Sequence, residues 1–125
     1  MTTKIATDKA PAAIGPYSQG VSIDGLVFTS GQIPVDPATG LVPETIEEQA
    51  ARSLSNVKAV LEAAGTSCDK VIKTTVFLSD IGDFGKVNEI YARYFTGPIL
   101  PARSCVQVAA LPKGVKIEIE AIAVK

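Results

Sequence analysis

The stretch "TIEEQAARSLSNVKAVLEAAGTSCDKVIKTTVFL", residues 45–78, decides the fold because a helix pattern in it is followed directly by a strand pattern. Apolar residues recur at three- and four-residue steps, which predicts an amphipathic helix over about 45–64. Thr45 and Glu48 have capping-box spacing, and Gly65 is a natural stop. The apolar stripe consists of Ile46, Ala50, Leu54, Val57, Leu61 and Ala64.

Further elements are predicted on either side of this helix. The segments "PYSQGVSI" and "LVFTSGQI" flank Asp24-Gly25, a strong two-residue hairpin signal, and the first dozen residues are predicted to be a surface lead-in. Downstream, the patterns predict strands over 70–78, 102–111 and 115–124, and a second helix over 83–95 capped by Asp83. The order ββαβαββ predicts a single α+β domain over residues 1–125, with two helices packed on one face of the sheet.

The second face of this sheet is predicted to be apolar as well. In the last strand, Ile117 and Ile119 oppose Ile122 and Val124. Two helices cover one face only, and a bare apolar face of this size is rare on monomers. We therefore expect a homo-oligomer in which sheet faces meet. The alternative is that the loop over residues 33–44 covers that face.

Composition and charge exclude several classes of function. The net charge is −1 with no basic stripe, which argues against a nucleic-acid partner. The absence of histidine removes the usual general base and metal ligand. Cys68 and Cys105 fit no zinc spacing, and no apolar run is long enough to cross a membrane. With no recognisable signal peptide, we expect two reduced thiols in a cytoplasmic protein, one disulfide being the alternative.

A row of polar side chains interrupts the predicted strand over 102–111. Arg103, Cys105 and Gln107 alternate and therefore share one side of it, while Glu118 and Glu120 share one side of the last strand. If these two strands pair, one parity of register sets the glutamates beside Arg103. The sequence does not fix that parity, but the arrangement that groups charges together is favoured.

Two interpretations of this row remain open. The first is a cross-strand Arg–Glu pair on a solvated sheet face, which contributes at most about 1 kcal/mol. The second is a recessed site in which the Arg103 fork binds a carboxylate and Glu118 activates water. Cys105 is a further candidate as a nucleophile, although a thiol in mid-strand is more often a packing residue.

Weaker candidates lie elsewhere in the chain. Tyr17 could place a hydroxyl near a cleft, or simply pack. The "TSGQ" segment at 29–32 ends a strand, and its Gly31 allows a close backbone approach to a ligand, unless it is a plain turn. Asn88 lies on the second predicted helix, where a solvated position is the ordinary interpretation.

Several motifs resemble those of the reactive intermediate deaminase family, RidA subgroup, nearly from end to end. They are "IGPYSQG" (14–20), "TSGQIP" (29–34), "NVKAVLEAAG" (56–65), "VIKTTVFLSD" (71–80) and "PARSCVQVAALPKGVKIEIEAIA" (101–123). The resemblance implies a chorismate-mutase-like fold assembled as a homotrimer with clefts between subunits. It also implies hydrolysis of 2-imino acids and their enamine tautomers to 2-oxo acids and ammonia, with no metal or organic cofactor.

The same resemblance implies roles for individual residues. Arg103 would bind the substrate carboxylate, and Glu118 would position the attacking water. Cys105 would line the pocket through its backbone more than its sulfur. The remaining positions, which would close or line the site, are Ser30 and Gly31, expected from the neighbouring subunit, with Tyr17 and Asn88.

One departure from the family and several rival functions stand beside this interpretation. "FTGPILPARS" is shorter than the family's usual connection, so the preference for substrate side chains is open. A protein that binds 2-oxo acids as a sensor without turnover is the main alternative, but such a protein gains nothing from Glu118. Ribonuclease, translation-inhibitor and chaperone-like roles of relatives are disfavoured by the charge balance and by burial of the apolar face.

Overall fold

The computed structural model describes residues 1–125 and contains six β-strands and two α-helices. A six-stranded sheet has the order β1-β2-β3-β6-β4-β5, in which only the β4–β5 pair is parallel. The strands are β1 (Thr3–Ile5), β2 (Gly20–Ile23), β3 (Leu26–Thr29), β4 (Val71–Leu78), β5 (Ala102–Gln107) and β6 (Ile117–Val124), and the helices are α1 (Ile46–Ala63) and α2 (Phe84–Tyr94).

Helix α1 confirms the prediction made from its periodicity. Thr45 Oγ1 accepts a hydrogen bond from the Glu48 amide at 3.2 Å and donates to Glu48 Oε1 at 2.9 Å. The helix ends before Gly65, whose φ of +86° lies in the left-handed region that glycine adopts without strain. The apolar stripe, including Leu54 and Leu61, is almost completely buried. Each buried leucine side chain of this stripe contributes roughly 1.5–3 kcal/mol to folding.

Both helices pack on the same face of the sheet, as predicted, and the core lies between them and that face. Buried residues alternate along β6, where Ile117 and Ile119 are completely buried against α1. The helices are joined to each other by a hydrogen bond of 2.8 Å between Ser55 Oγ and the Tyr94 hydroxyl. Helix α2 begins after Asp83 as predicted, but the Asp83 side chain makes no capping bond.

The first residues of the chain differ from the prediction. Residues 3–5 form the edge strand β1, whereas a surface lead-in was expected. Gln19 explains how the rest of this segment is held, because its buried amide bonds the Thr7 main chain and the carbonyls of Ala10 and Pro11. A three-residue strand carries too short an alternation to be recognised from the sequence.

The last two strands do not pair with each other. Strand β4 lies between β5 and β6, with Thr74 opposite Arg103 and Phe77 opposite Glu118. Because paired residues share a face, Arg103 lies on the helix-covered face and Glu118 on the opposite face. The arrangement favoured for a direct pairing of these strands, with the glutamates beside Arg103, therefore does not occur.

The face that carries Glu118 has no helix on it, and its side chains are partly exposed. The 33–44 loop does not cover it, since Asn56 and Gln49 of α1 bind the carbonyls of Ile33, Val35 and Pro43. The open apolar face expected from the sequence is thus present in the single chain. It includes Val21, Phe28, Phe77, Val106 and Ile122. Neither helix is both long and apolar enough to cross a lipid bilayer.

Candidate active site

The predicted site residues fall into two groups on opposite faces of the sheet. We call Arg103, Asn88 and Cys105 the arginine group, which lies between β5 and α2. We call Glu118, Gly31, Ser30 and Tyr17 the glutamate group, which lies on the open face. Each group is brought together within one chain, but the two groups are not brought together with each other.

The guanidinium of Arg103 is held in a fixed orientation by α2. Arg103 Nη1 donates to Asn88 Oδ1 at 2.8 Å. Its Cζ lies 5.1 Å from the centroid of the Phe84 ring and 4.8 Å from that of Tyr91, within the range of cation–π attraction. The other N–H donors of Arg103 have no partner within the chain. A preorganised fork with free donors is suited to binding a planar carboxylate.

The remaining members of the polar row of β5 have different tasks. Gln107 Oε1 accepts a hydrogen bond of 2.9 Å from the Ile81 amide and so holds the turn before α2. Cys105 is partly buried and packs against the hydrophobic core. Burial raises the pKa of the Cys105 thiol, and the nearby Arg103 charge opposes that rise only in part. A thiol with a raised pKa stays protonated near neutral pH, which disfavours a nucleophilic role.

The glutamate group is formed where β3 leaves the regular ladder with β6. Phe28 pairs with Ile122 and Gln32 with Ile119, so residues 29–31 lie opposite residues 120–121. This extra residue is a bulge, a feature that redirects side chains beside functional sites. It brings the backbone of Gly31 against the Glu118 side chain: a Cβ at Gly31 would lie 2.7 Å from Glu118 Cδ.

Ser30 and Tyr17 extend this group. The Ser30 hydroxyl donates to the Ser18 carbonyl at 2.5 Å, which fixes the residue after Tyr17. The Tyr17 ring is about half exposed, and its hydroxyl accepts a bond of 3.4 Å from the Ile14 amide. Tyr17 and Ser30 line the same shallow concavity of about 250 Å³ on the open face.

The environment of Glu118 makes its carboxyl group a weaker acid than usual. Partial burial is the larger cause of its raised pKa, and the negative charge of Glu120 on the same face adds to it. A carboxyl with a raised pKa is better matched to proton transfer near neutral pH than an exposed one. The structure therefore supports Glu118, which is paired with no cation in the chain, as a candidate acid–base group.

Neither group forms an enclosed pocket by itself. The largest concavity, about 610 Å³, lies along the N-terminal segment beside Thr7 and Gln19 and shares only Tyr17 with the predicted site. It contains neither Arg103 nor Glu118, so the candidate site does not coincide with the largest concavity. A closed site that uses both groups requires a surface from elsewhere.

Sequence reasoning missed the role of two aromatic residues. Phe84 and Tyr91 are not among the site residues predicted from the sequence, yet their rings flank the Arg103 guanidinium. The Tyr91 hydroxyl also bonds Thr74, the cross-strand neighbour of Arg103, at 2.7 Å. The signal that could have found them is the three- to four-residue spacing from Phe84 through Asn88 to Tyr91 on one helix face.

Comparison with known proteins decides the family. A family model described as endoribonuclease L-PSP matches residues 7–125. The chain belongs to the endoribonuclease L-PSP family. One relative in this family, the 2-iminobutanoate/2-iminopropanoate deaminase of Salmonella typhimurium, is 59% identical over 127 residues, covering 100% of this chain and 99% of that protein. The resemblance to reactive intermediate deaminases is thereby confirmed.

Solved structures of the endoribonuclease L-PSP family have the same fold. The yjgF gene product of Escherichia coli is 56% identical with a TM-score of 0.95, and 98% of each chain is covered. Escherichia coli TdcF with bound serine is 54% identical with a TM-score of 0.94 and the same coverage. These matches confirm the predicted α+β, chorismate-mutase-like fold.

Proposed function

We propose that this protein hydrolyses reactive 2-imino acids and their enamine tautomers to 2-oxo acids and ammonia. The observation that carries the proposal is the 59% identity, over the whole chain, to a 2-iminobutanoate/2-iminopropanoate deaminase. The expected substrates are 2-aminoacrylate, 2-iminobutanoate and 2-iminopropanoate. All are small molecules with one carboxylate, and serine, the molecule bound to the related TdcF, has a carboxylate of the same kind.

We further propose that the active site is composite, with the arginine group of one copy facing the glutamate group of the next. The two groups lie on opposite faces of one sheet, so a single chain cannot close a site around a small substrate. The uncovered apolar face supplies a surface for assembly. A closed ring of copies fits this head-to-tail pairing, and the family resemblance makes that ring a homotrimer.

In this site, Arg103 would bind the substrate carboxylate. Two parallel hydrogen bonds from a guanidinium fix both position and plane of a carboxylate. Asn88, Phe84 and Tyr91 hold the fork before the substrate arrives, so little orientation entropy is lost on binding. Tyr17, Ser30, Gly31 and Cys105 would line the remaining walls.

Glu118 would hold the water that attacks the imine carbon. The protonated imine is already electrophilic, and the ionised carboxylate accepts one proton from water as the C–O bond forms and the C=N electron pair moves to nitrogen. Glu118 then gives this proton to the amino nitrogen of the carbinolamine, and ammonia leaves as the carboxylate takes the hydroxyl proton and the C=O bond of the 2-oxo acid forms. Positioning and charge stabilisation drive both steps, and Cys105 forms no covalent bond.

Free thiols bear on the cellular location of the protein, and its charged residues bear on the rival functions. The two free thiols are consistent with a cytoplasmic protein, which would meet imines as they are released. A sensor of 2-oxo acids would use Arg103 but has no need of a carboxylate beside an anionic ligand. RNA cleavage, which the family's description names, is disfavoured by 12 basic against 13 acidic residues and by the lack of histidine.

The test is a coupled assay in which a dehydratase generates 2-aminoacrylate or 2-iminobutanoate. The wild-type protein should accelerate loss of the imine, and Arg103→Ala should abolish this effect while the oligomer stays intact. Arg93→Ala is the matched control, because Arg93 is exposed on α2 and makes no contact with the site. Cys105→Ser should retain most activity.

Glu118→Ala separates the hydrolase from the sensor. It should lose turnover but still bind 2-oxobutanoate, as measured by calorimetry, because Arg103 is intact. Glu89→Ala, which removes an exposed carboxylate from α2, should behave like the wild type. Unchanged imine decay with the wild-type protein, together with tight 2-oxobutanoate binding, would favour the sensor. Cleavage of RNA that depends on Arg103 would favour the ribonuclease.

A further inference from the structure

Helix α1 buries three polar side chains that face the segment carrying Gly31. Gln49 is 5% exposed, and Ser53 and Asn56 are completely buried. A buried polar side chain destabilises the fold unless it is hydrogen-bonded, so such residues in the middle of an otherwise apolar helix face need a reason. All three bond main-chain groups outside the helix.

The bonds converge on residues that adjoin the glutamate group. Ser53 Oγ donates to the Gln32 carbonyl at 2.5 Å. Asn56 Nδ2 donates to the carbonyls of Ile33 at 3.0 Å and Val35 at 2.9 Å. Arg52 Nη2 binds Asn56 Oδ1 at 2.8 Å, which fixes the amide with its nitrogen toward those carbonyls.

Gln49 bonds the backbone on the Glu118 side of the glutamate group. Its Nε2 donates to the Pro43 carbonyl at 2.9 Å, and its Oε1 accepts a bond of 2.8 Å from the Lys116 amide. Lys116 precedes Glu118 by two residues. Side chains of one face of α1 therefore hydrogen-bond two backbone segments, the one after Gly31 and the one before Glu118. These two segments meet in the glutamate group.

The Gln32 carbonyl connects Ser53 to the backbone beside Glu118. It accepts from Ser53 Oγ and also from the Ile119 amide at 3.2 Å, while the Gln32 amide donates to the Ile119 carbonyl at 2.8 Å. Gln32 follows Gly31, and Ile119 follows Glu118. This isolated bridge is the only ladder contact between the segment after Gly31 and the segment around Glu118. The Ser53 hydroxyl strengthens it from the helix side of the sheet.

We infer that Gln49, Ser53 and Asn56 form a positioning clamp that sets the Glu118 carboxyl against the Gly31 backbone. The inference rests on the proposed function and adds positioning residues that touch no substrate. Because the Gly31 backbone and the Glu118 carboxyl are in tight contact, a small shift of either segment moves the carboxyl. The clamp should therefore govern the rate of water attack and leave carboxylate binding at Arg103 unchanged.

The matched pair Ser53→Ala and Ser55→Ala tests the clamp. Both remove one hydroxyl from α1, but Ser55 bonds the Tyr94 hydroxyl and not the Gln32 carbonyl. Ser53→Ala should lower kcat at least about tenfold with KM within about twofold, because Glu118 and its water are displaced while carboxylate binding at Arg103 is unchanged. Ser55→Ala should keep the wild-type kcat. Equal kcat values for the two variants, or a raised KM in place of a lowered kcat, overturn the inference.

Two further measurements cover the remaining outcomes. If Ser53→Ala does not fold, Ser53→Cys takes its place, since sulfur is a weak donor of similar size, and its kcat should fall about threefold. A wild-type kcat for Ser53→Cys then overturns the clamp. If the wild-type protein leaves imine decay unchanged, the proposed function fails, and amide hydrogen exchange judges the clamp. Faster exchange at Ile119 in Ser53→Ala than in Ser55→Ala supports it, and equal exchange overturns it.

Discussion

Gly31 is the residue at which one methyl group would do most to the proposed site. Its Cβ would overlap the Glu118 carboxyl, yet its backbone is outside the left-handed region, so alanine fits the main-chain conformation. We expect Gly31→Ala to fold and assemble normally but to lower kcat by about 100-fold, because Glu118 must move. Steady-state assays of imine decay measure this.

Gly85→Ala is the control for that substitution. A Cβ at Gly85 meets nothing within 4 Å, and alanine favours the helix in which it lies. Its kcat should equal that of the wild type. Full activity of Gly31→Ala would mean that the Glu118 carboxyl does not act from the position seen in the structure.

Glu118 should also lower the stability of the fold near neutral pH. Its pKa is raised in the folded protein, mainly by burial, so the folded state binds this proton more tightly than the unfolded chain does. Ionisation above the raised pKa therefore costs stability, and below the ordinary pKa the cost disappears. In an Arg103→Ala background, which removes the cation that the neighbouring copy would bring to this site, we expect Glu118→Gln to raise the free energy of unfolding at about pH 8 but not at about pH 4.

Urea unfolding at the two pH values measures this effect, with Glu89→Gln as the control for loss of one exposed carboxylate. If Glu118→Gln is less stable than its Arg103→Ala parent at the higher pH, the carboxylate is stabilised in the fold. That result would contradict the environment described for Glu118.

At the scale of elements, α2 and the edge strand β5 form the carboxylate-binding unit. The Phe84 ring flanks the Arg103 guanidinium although Phe84 is itself partly exposed, so it contributes more to Arg103 than to the core. We expect Phe84→Ala to raise KM about two- to fivefold, the range that an exposed cation–π contact supplies, with little change in kcat.

Phe84→Leu separates the ring from its bulk. It keeps an apolar side chain at this position but no aromatic face, so its KM should resemble that of Phe84→Ala. Substrate titrations with both variants measure the effect. A wild-type KM for Phe84→Leu would show that apolar contact alone orients Arg103.

The sequence predicts most elements because their patterns are local. Apolar periodicity with its capping signals predicts α1, and local strand patterns predict β4 and β6 to within a few residues. The insertion of β4 between β5 and β6 is not local, since the choice of neighbours depends on packing of the whole sheet. Arg103 and Glu118 could therefore be named as candidates from the sequence, but the faces on which they lie could not be predicted.

The same limit applies to the bulge at Gly31. "TSGQ" indicates a close approach, but what approaches is the Glu118 side chain of a distant strand. The buried polar residues of α1 are likewise visible in the sequence only as polar positions beside the stripe. Their partners lie in a loop with no periodicity, so only the structure reveals them.

At the scale of the whole molecule, one face of the sheet is covered by helices and the other is open. The open face is apolar around Phe28, Phe77 and Ile122 and carries the glutamate group. The arginine group lies at the opposite face, beside the free edge of β5. Each copy would thus bring one half of a site to each of two neighbours, which makes assembly a condition for catalysis.

Mixing two inactive variants tests this central claim most directly. Arg103→Ala and Glu118→Ala, unfolded together and refolded at equal concentrations, should regain about one quarter of the wild-type activity, since that share of interfaces pairs an intact Arg103 with an intact Glu118. Each variant refolded alone should remain inactive. If the mixed oligomers form, as judged by native mass spectrometry, and show no more activity than the separate variants, both residues act from one chain and the composite site is wrong.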